Sequence, residues 1–133
     1  MVGTFKFEVV TPERILLSDD AEQVVVPGSE GEFTVLPGHA PVISLLRPGV
    51  IDVQLPEAKV QRMFVKGGFA EVEPERMTIL TPRAMDVATM DAATIAEELR
   101  VAEEELTNAK DDAGKRAAFA AVEQLTALQA RKS

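Results

Sequence analysis

Cysteine is absent from this 133-residue chain, which excludes disulfides, thiolate catalysis and sulfur-ligated zinc or iron–sulfur clusters. Its absence also suits a reducing compartment. Tryptophan and tyrosine are missing too, so platforms for stacking bases are scarce. Fourteen Lys and Arg stand against 22 Asp and Glu, a formal net charge of −8. A general nucleic-acid binder needs a basic face to displace counterions from phosphates, so nucleic acid is not an expected partner. No apolar run approaches the ~20 residues that span a bilayer, so no direct membrane insertion is expected. The start, MVGTFKFEVV, lacks a basic stretch followed by an apolar one and reads as neither a signal nor a transit peptide. The length suits one domain, or a small domain with an appendage.

Two halves with different patterns are present. From Phe5 to about Leu80 the runs are short and alternating. Phe5, Phe7 and Val9 alternate with Lys6 and Glu8, and Ile51, Val53 and Leu55 with Asp52 and Gln54. Period two with frequent Gly and Pro punctuation predicts an all-β sandwich or barrel of short strands. Seven of the eight glycines and seven of the eight prolines precede Pro82, the last proline. Beyond it the period becomes helical. Asp91 is placed to cap a helix, with Met90 and Ile95 as a staple across its first turn. Ile95, Leu99, Ala102 and Leu106 fall on one face of that helix. Lys110 to Gly114 interrupts the run, with Asp112 available as the next cap, and Ala118, Ala121, Leu125 and Leu128 form a second stripe. So short a connection predicts an antiparallel hairpin. The expected organisation is a β domain over residues 1–84 and a helical hairpin over residues 85–133.

The hairpin has little with which to hold itself. Residues 92–131 contain eight large apolar side chains against twelve alanines. An element of that composition needs the β domain or a partner to stay ordered, and it can be docked in one state and released in another. Its charge is also divided. Residues 91–112 carry eight acids and two bases, a net of −6, whereas residues 113–133 carry one acid and four bases, a net of +3. These are solvated faces with some mutual attraction, or else a basic second helix that seeks an acidic partner.

Residues 28–41, GSEGEFTVLPGHAP, concentrate glycines, prolines, two carboxylates and the single histidine. A phosphate loop would need a lysine and a following helix, and neither is there. Glu30, Glu32 and His39 include metal-ligand types, but nothing fixes their spacing across Pro37-Gly38. His39 with Ser44 and Asp52 has neither nucleophile-elbow spacing nor an oxyanion-hole motif. What remains is conformation: Pro27-Gly28 and Pro37-Gly38 set tight turns, and the segment is expected to form a rigid pair of loops at one end of the sandwich. Loops of that type suit recognition more than reaction.

Five ordered motifs carry a resemblance. They are Val9 to Arg14 (VVTPER), Pro27 to Glu32 (PGSEGE), Leu36 to Pro41 (LPGHAP), Leu46 to Gly49 (LRPG) and Val65 to Val72 (VKGGFAEV). In order and spacing they resemble the epsilon subunit of F-type ATP synthase, called delta in mitochondria, from about Phe5 to Leu128. The resemblance implies a sandwich of about ten strands followed by a helical hairpin. It implies a non-catalytic subunit of the central stalk, without a cofactor, between the gamma subunit and the c ring. Ser29, Glu30, Gly31 and Glu32 would face the c ring. His39, Ala40, Pro41, Val42 and Leu46 would lie toward gamma. In some family members the hairpin rises along gamma and inhibits ATP hydrolysis through basic residues that meet an acidic segment of beta. Here that contact would rest on Lys115 and Arg116, with weak inhibition expected because the first helix is acidic. The missing transit peptide favours a bacterial member at the cytoplasmic face of the inner membrane. Some members bind ATP through an Ile/Leu-Asp-x-x-Arg-Ala pattern; Met90-Asp91-Ala92-Ala93-Thr94-Ile95 has Thr94 in place of the arginine, so tight ATP binding is not expected. The competing reading is a free-standing ligand-binding or hydrolytic β domain.

Overall fold

The computed structural model describes residues 3–132. Ten strands precede two helices. The strands are β1 (Phe5–Val10), β2 (Ile15–Ala21), β3 (Gln23–Gly28), β4 (Gly31–Val35) and β5 (Val42–Leu46), followed by β6 (Gly49–Leu55), β7 (Lys59–Val65), β8 (Gly68–Glu73), β9 (Arg76–Leu80) and β10 (Ala84–Asp86). After a 3-10 turn over Val87–Thr89 come α1 (Ala92–Asn108) and α2 (Asp112–Lys132).

The strands pair in the order β10-β7-β6-β3-β5-β8-β9-β1-β2, with β4 on β3. Only β1 and β9 run parallel; the other pairings are antiparallel. The path curls until β2 packs across onto β6, which makes a sandwich that nearly closes. Alternation decides what goes inside. Phe5, Phe7 and Val9 point inward from β1, Ile51 and Val53 from β6, and Met77 and Ile79 from β9. The intervening polar residues stay at the surface, so one contiguous apolar core results.

Two glycines are required by close approach. A Cβ on Gly28 would come within 2.6 Å of the Gly31 carbonyl oxygen and 3.1 Å of the Phe33 ring. At Gly68, where φ is +118°, a Cβ would overlap the Leu80 carbonyl oxygen. The β6–β7 connection is different: Glu57 and Ala58 take φ of 67° and 61° without being glycine.

Strand β10 pairs with β7, so the sheet runs to Asp86, past the boundary expected at residue 84. The helices follow the expected stripes. The Asp91 carboxylate accepts from Thr94 N–H at 2.8 Å and caps α1. The second cap is Asp111 rather than Asp112: its Oδ1 accepts from Gly114 N–H at 2.7 Å, and its carbonyl accepts from Lys115 N–H. Helices α1 and α2 pack along one another, and their buried residues Ile95, Ala102, Ala121, Leu125 and Leu128 meet Phe64 of β7 and Met90. The hairpin therefore sits on the outer face of the sheet, over Phe64 and Val50.

Candidate functional site

Three surfaces contain the residues singled out above. Ser29 and Glu30 form the tip of the two-residue turn between β3 and β4, where Gly28 pairs with Gly31. Glu32 sits opposite Pro27, and both carboxylates are exposed. Ser29 N–H donates to the Leu45 carbonyl at 2.8 Å, which fixes this turn beside the C-terminal end of β5.

The second turn lies elsewhere. Gly38 N–H donates to the Pro74 carbonyl at 2.8 Å, in the connection between β8 and β9. Because Val42 pairs with Val72 and Leu46 with Gly68, Pro74 and Leu45 mark opposite ends of the β5–β8 pair. The expectation of two loops at one end is therefore corrected. Strand β4 carries the chain from one end of the sandwich to the other, so Glu30 and His39 share no site. The His39 ring is half-buried, with Nδ1 2.7 Å from the Ala40 carbonyl oxygen, which spends that nitrogen on local backbone.

Alternation also corrects part of the expected gamma set. Leu46 is 7% exposed and belongs to the sandwich core, so it has no side-chain surface to present. Val42 remains 40% exposed, and Ala40 and Pro41 lie at the surface. The residues that face outward most strongly are Ile43, 74% exposed, and Leu45, 57% exposed. Leu45 pairs with Phe69, and Phe69 with Leu80, so a bare apolar row crosses β5, β8 and β9. Phe69 and Leu80 also line a shallow apolar groove with Val10, Pro12 and Pro82. A monomeric soluble fold has no internal use for such a row.

The third surface is the N-terminal part of α2. Lys115 and Arg116 are exposed there, and Phe119, one turn on, is 54% exposed. Phe119 is one of the eight large apolar side chains of the hairpin, yet it faces out rather than into the cluster.

The carboxylates of α1 are largely engaged. Arg100 bonds Glu97 and Glu104 within the helix, and this hydrogen bond and charge hold the Glu97 carboxyl below the usual range. Glu105 accepts from Lys66 Nζ at 3.0 Å, and Glu98 from an Arg83 guanidinium nitrogen at 2.8 Å. Asp52, imagined as a partner of His39, bonds Arg62 at 2.6 Å.

A groove of about 760 Å³ is open and lies between the β6–β7 connection and the end of α2. Part of its polar lining is already engaged. Asp86 accepts from Ala88 N–H and Gln61, and Arg62 turns to Asp52. No three His, Asp or Glu side chains cluster to hold a metal among the described residues. Nor is any helix among them long and apolar enough to cross a membrane.

Residues 4–87 match the family described as the ATP synthase delta/epsilon chain, beta-sandwich domain. Over 129 residues the chain is 40% identical to the ATP synthase epsilon chain of Parvibaculum lavamentivorans, covering 97% of this chain and 98% of that one. The epsilon chain of Maricaulis maris is 45% identical over 130 residues, covering 98% and 97%. In shape the chain resembles one in the cryo-EM structure of the Euglena gracilis mitochondrial ATP synthase OSCP/F1/c-ring, with a TM-score of 0.73, 24% identity and coverage of 97% and 81%. A chain in the Tetrahymena thermophila mitochondrial ATP synthase central stalk and c ring gives a TM-score of 0.63 at 17% identity, covering 94% and 96%. At such identities the structural likeness speaks for the fold.

Proposed function

The chain belongs to the delta/epsilon family of ATP synthase subunits, and from that premise we propose that it couples the gamma subunit to the c ring as a stiff piece of the rotor. It is the epsilon chain by family, a non-catalytic subunit. Its working place on this reading is peripheral, at the cytoplasmic face of a bacterial inner membrane.

The observation that carries the reading is a pair of chemically different surfaces, one acidic and one apolar, on one rigid body. An acidic turn, Ser29 to Glu32, projects at one end of the sandwich. A bare apolar row, Ile43, Leu45, Phe69 and Leu80, lies across one face. A packed β core deforms little, so force entering at one surface emerges at the other. The acidic turn suits basic loops of the c ring, where interfacial charge sets register more than affinity. The apolar row suits a stable, buried contact with gamma, with Ile43 and Leu45 in the place first given to Leu46. Lys115, Arg116 and Phe119 form a smaller surface through which the hairpin would reach an acidic segment of beta, with weak inhibition of ATP hydrolysis.

Replacing both Leu45 and Phe69 by Asp tests the assignment. We expect the variant to fold, since both side chains are exposed, and to lose co-purification with gamma by about 100-fold or more. Retention of gamma at wild-type stoichiometry would overturn the placement. The Glu30→Ala/Glu32→Ala pair is expected to keep gamma binding but to loosen coupling to the c ring. Turnover of a small molecule by the purified chain alone would instead support the free-standing enzyme.

A further inference from the structure

The acidic helix α1 has a use that its charge alone does not reveal. Glu98 and Glu105 are seven residues apart, two helical turns, and so lie on one face of α1. Each meets a cation of the sandwich: Arg83 at 2.8 Å and Lys66 at 3.0 Å. The two cations are themselves held together. The Arg83 carbonyl accepts from Lys66 N–H at 3.1 Å and from the buried Thr81 hydroxyl at 3.2 Å. Both lie where the sheet turns, Lys66 between β7 and β8 and Arg83 between β9 and β10.

We infer that Lys66 and Arg83 form a two-point ionic latch that holds the hairpin down on the sandwich. The inference stands on the isolated chain and does not depend on the rotor assignment. The Glu98 side chain is only 9% exposed, among the most enclosed charges of α1, and a buried carboxylate is tolerated where a cation meets it. Lifting the hairpin moves Glu98 to water and strips the cover from Phe64 and Met90. Losing Arg83 removes the electrostatic reason for Glu98 to stay enclosed. The docked state is thus sensitive to two cations that contribute nothing to the sandwich core. In the Lys66–Glu105 pair the carboxylate is 55% exposed, so breaking that pair strands no buried carboxylate and costs less.

Hydrogen exchange on the full chain tests this, because it reads α1 and the sandwich separately. Arg83→Glu is expected to speed exchange of the α1 amides by about 10- to 100-fold. Lys66→Glu is expected to speed it by about 3- to 5-fold. Amides of β3 and β6 stay as in the wild type. The double reversal Lys66→Glu/Glu105→Lys brings α1 back to within about twofold of the wild type. Raising salt from about 0.05 M to about 1 M, where the screening length falls to ~3 Å, also speeds α1 selectively. Wild-type α1 exchange in both single reversals overturns the latch, and so does a double reversal no better protected than Lys66→Glu. The latter pair is exposed enough to keep the test decisive if Arg83→Glu disturbs the sheet.

Discussion

The sandwich core draws large side chains from nine of the ten strands, whereas the hairpin cluster draws two of its largest members, Phe64 and Met90, from outside the helices. Inside the sandwich, Phe7, Ile51, Met77 and Ile79 are fully enclosed, and each contacts strands distant in sequence. Between the helices the buried positions include Ala102, Ala118 and Ala121. Small side chains let helices approach but remove little apolar area from water. One region therefore folds on its own account, and the other is ordered by leaning on it. The same division separates a stiff body from an element whose attachment rests on few groups.

The contrast is broken most severely from the sandwich side. Phe7→Ala opens a cavity in a core with no flexible wall and is expected to cost about 3–5 kcal/mol. Chemical denaturation should show that loss in one cooperative transition that carries both regions down together. If the helices remained protected after the sandwich had melted, the hairpin would have a stability of its own and the dependence drawn here would be wrong.

Leu125→Ala probes the other side. Leu125 is fully buried in the cluster with Phe64 and Met90, and truncation is expected to cost about 2–3 kcal/mol. The loss should fall on docking alone: exchange of α1 and α2 amides rises while the midpoint of sandwich unfolding stays nearly fixed. A matching drop in that midpoint would mean that the sandwich leans on the hairpin as much as the hairpin leans on it.

Which parts of this were legible in the sequence follows from the range of the forces involved. Period two and Gly/Pro punctuation are local, so the β half was visible, and so were the helical stripes Ile95–Leu99–Ala102 and Ala118–Ala121–Leu125–Leu128. Strand β10 was hidden because it follows Pro82 and has only three residues; its pairing to β7, not its own pattern, makes it a strand. Residues 28–41 looked like one cluster because adjacency in sequence conceals that β4 crosses the sandwich. The parity of β5 was unreadable for a different reason. Val42, Ile43, Leu45 and Leu46 are all apolar, so only the register Leu46↔Gly68 decides that Leu46 faces in and Leu45 faces out. The latch joins residues 39 apart in one pair and 15 apart in the other, beyond any local rule. Sequence showed that α1 was acidic; the fold shows what part of that charge touches.

A last, smaller test sharpens the picture of a rigid sandwich. In the β6–β7 connection Ala58 has φ of 61°, a left-handed conformation that places Cβ near the carbonyl and costs about 1–2 kcal/mol for a residue other than glycine. The turn is exposed, so no packing is lost when that Cβ is removed. Glycine is more flexible in the unfolded chain, which returns about 0.4–1 kcal/mol of the gain. Ala58→Gly is therefore expected to stabilise the sandwich by about 0.5–1 kcal/mol, read as a rise of a few degrees in its melting temperature. Exchange in α1 should not change, because the turn lies outside both contacts of the latch. A lower melting temperature would mean that unfolded-state entropy outweighs the left-handed penalty. The stiffness of this turn would then come from the alanine itself.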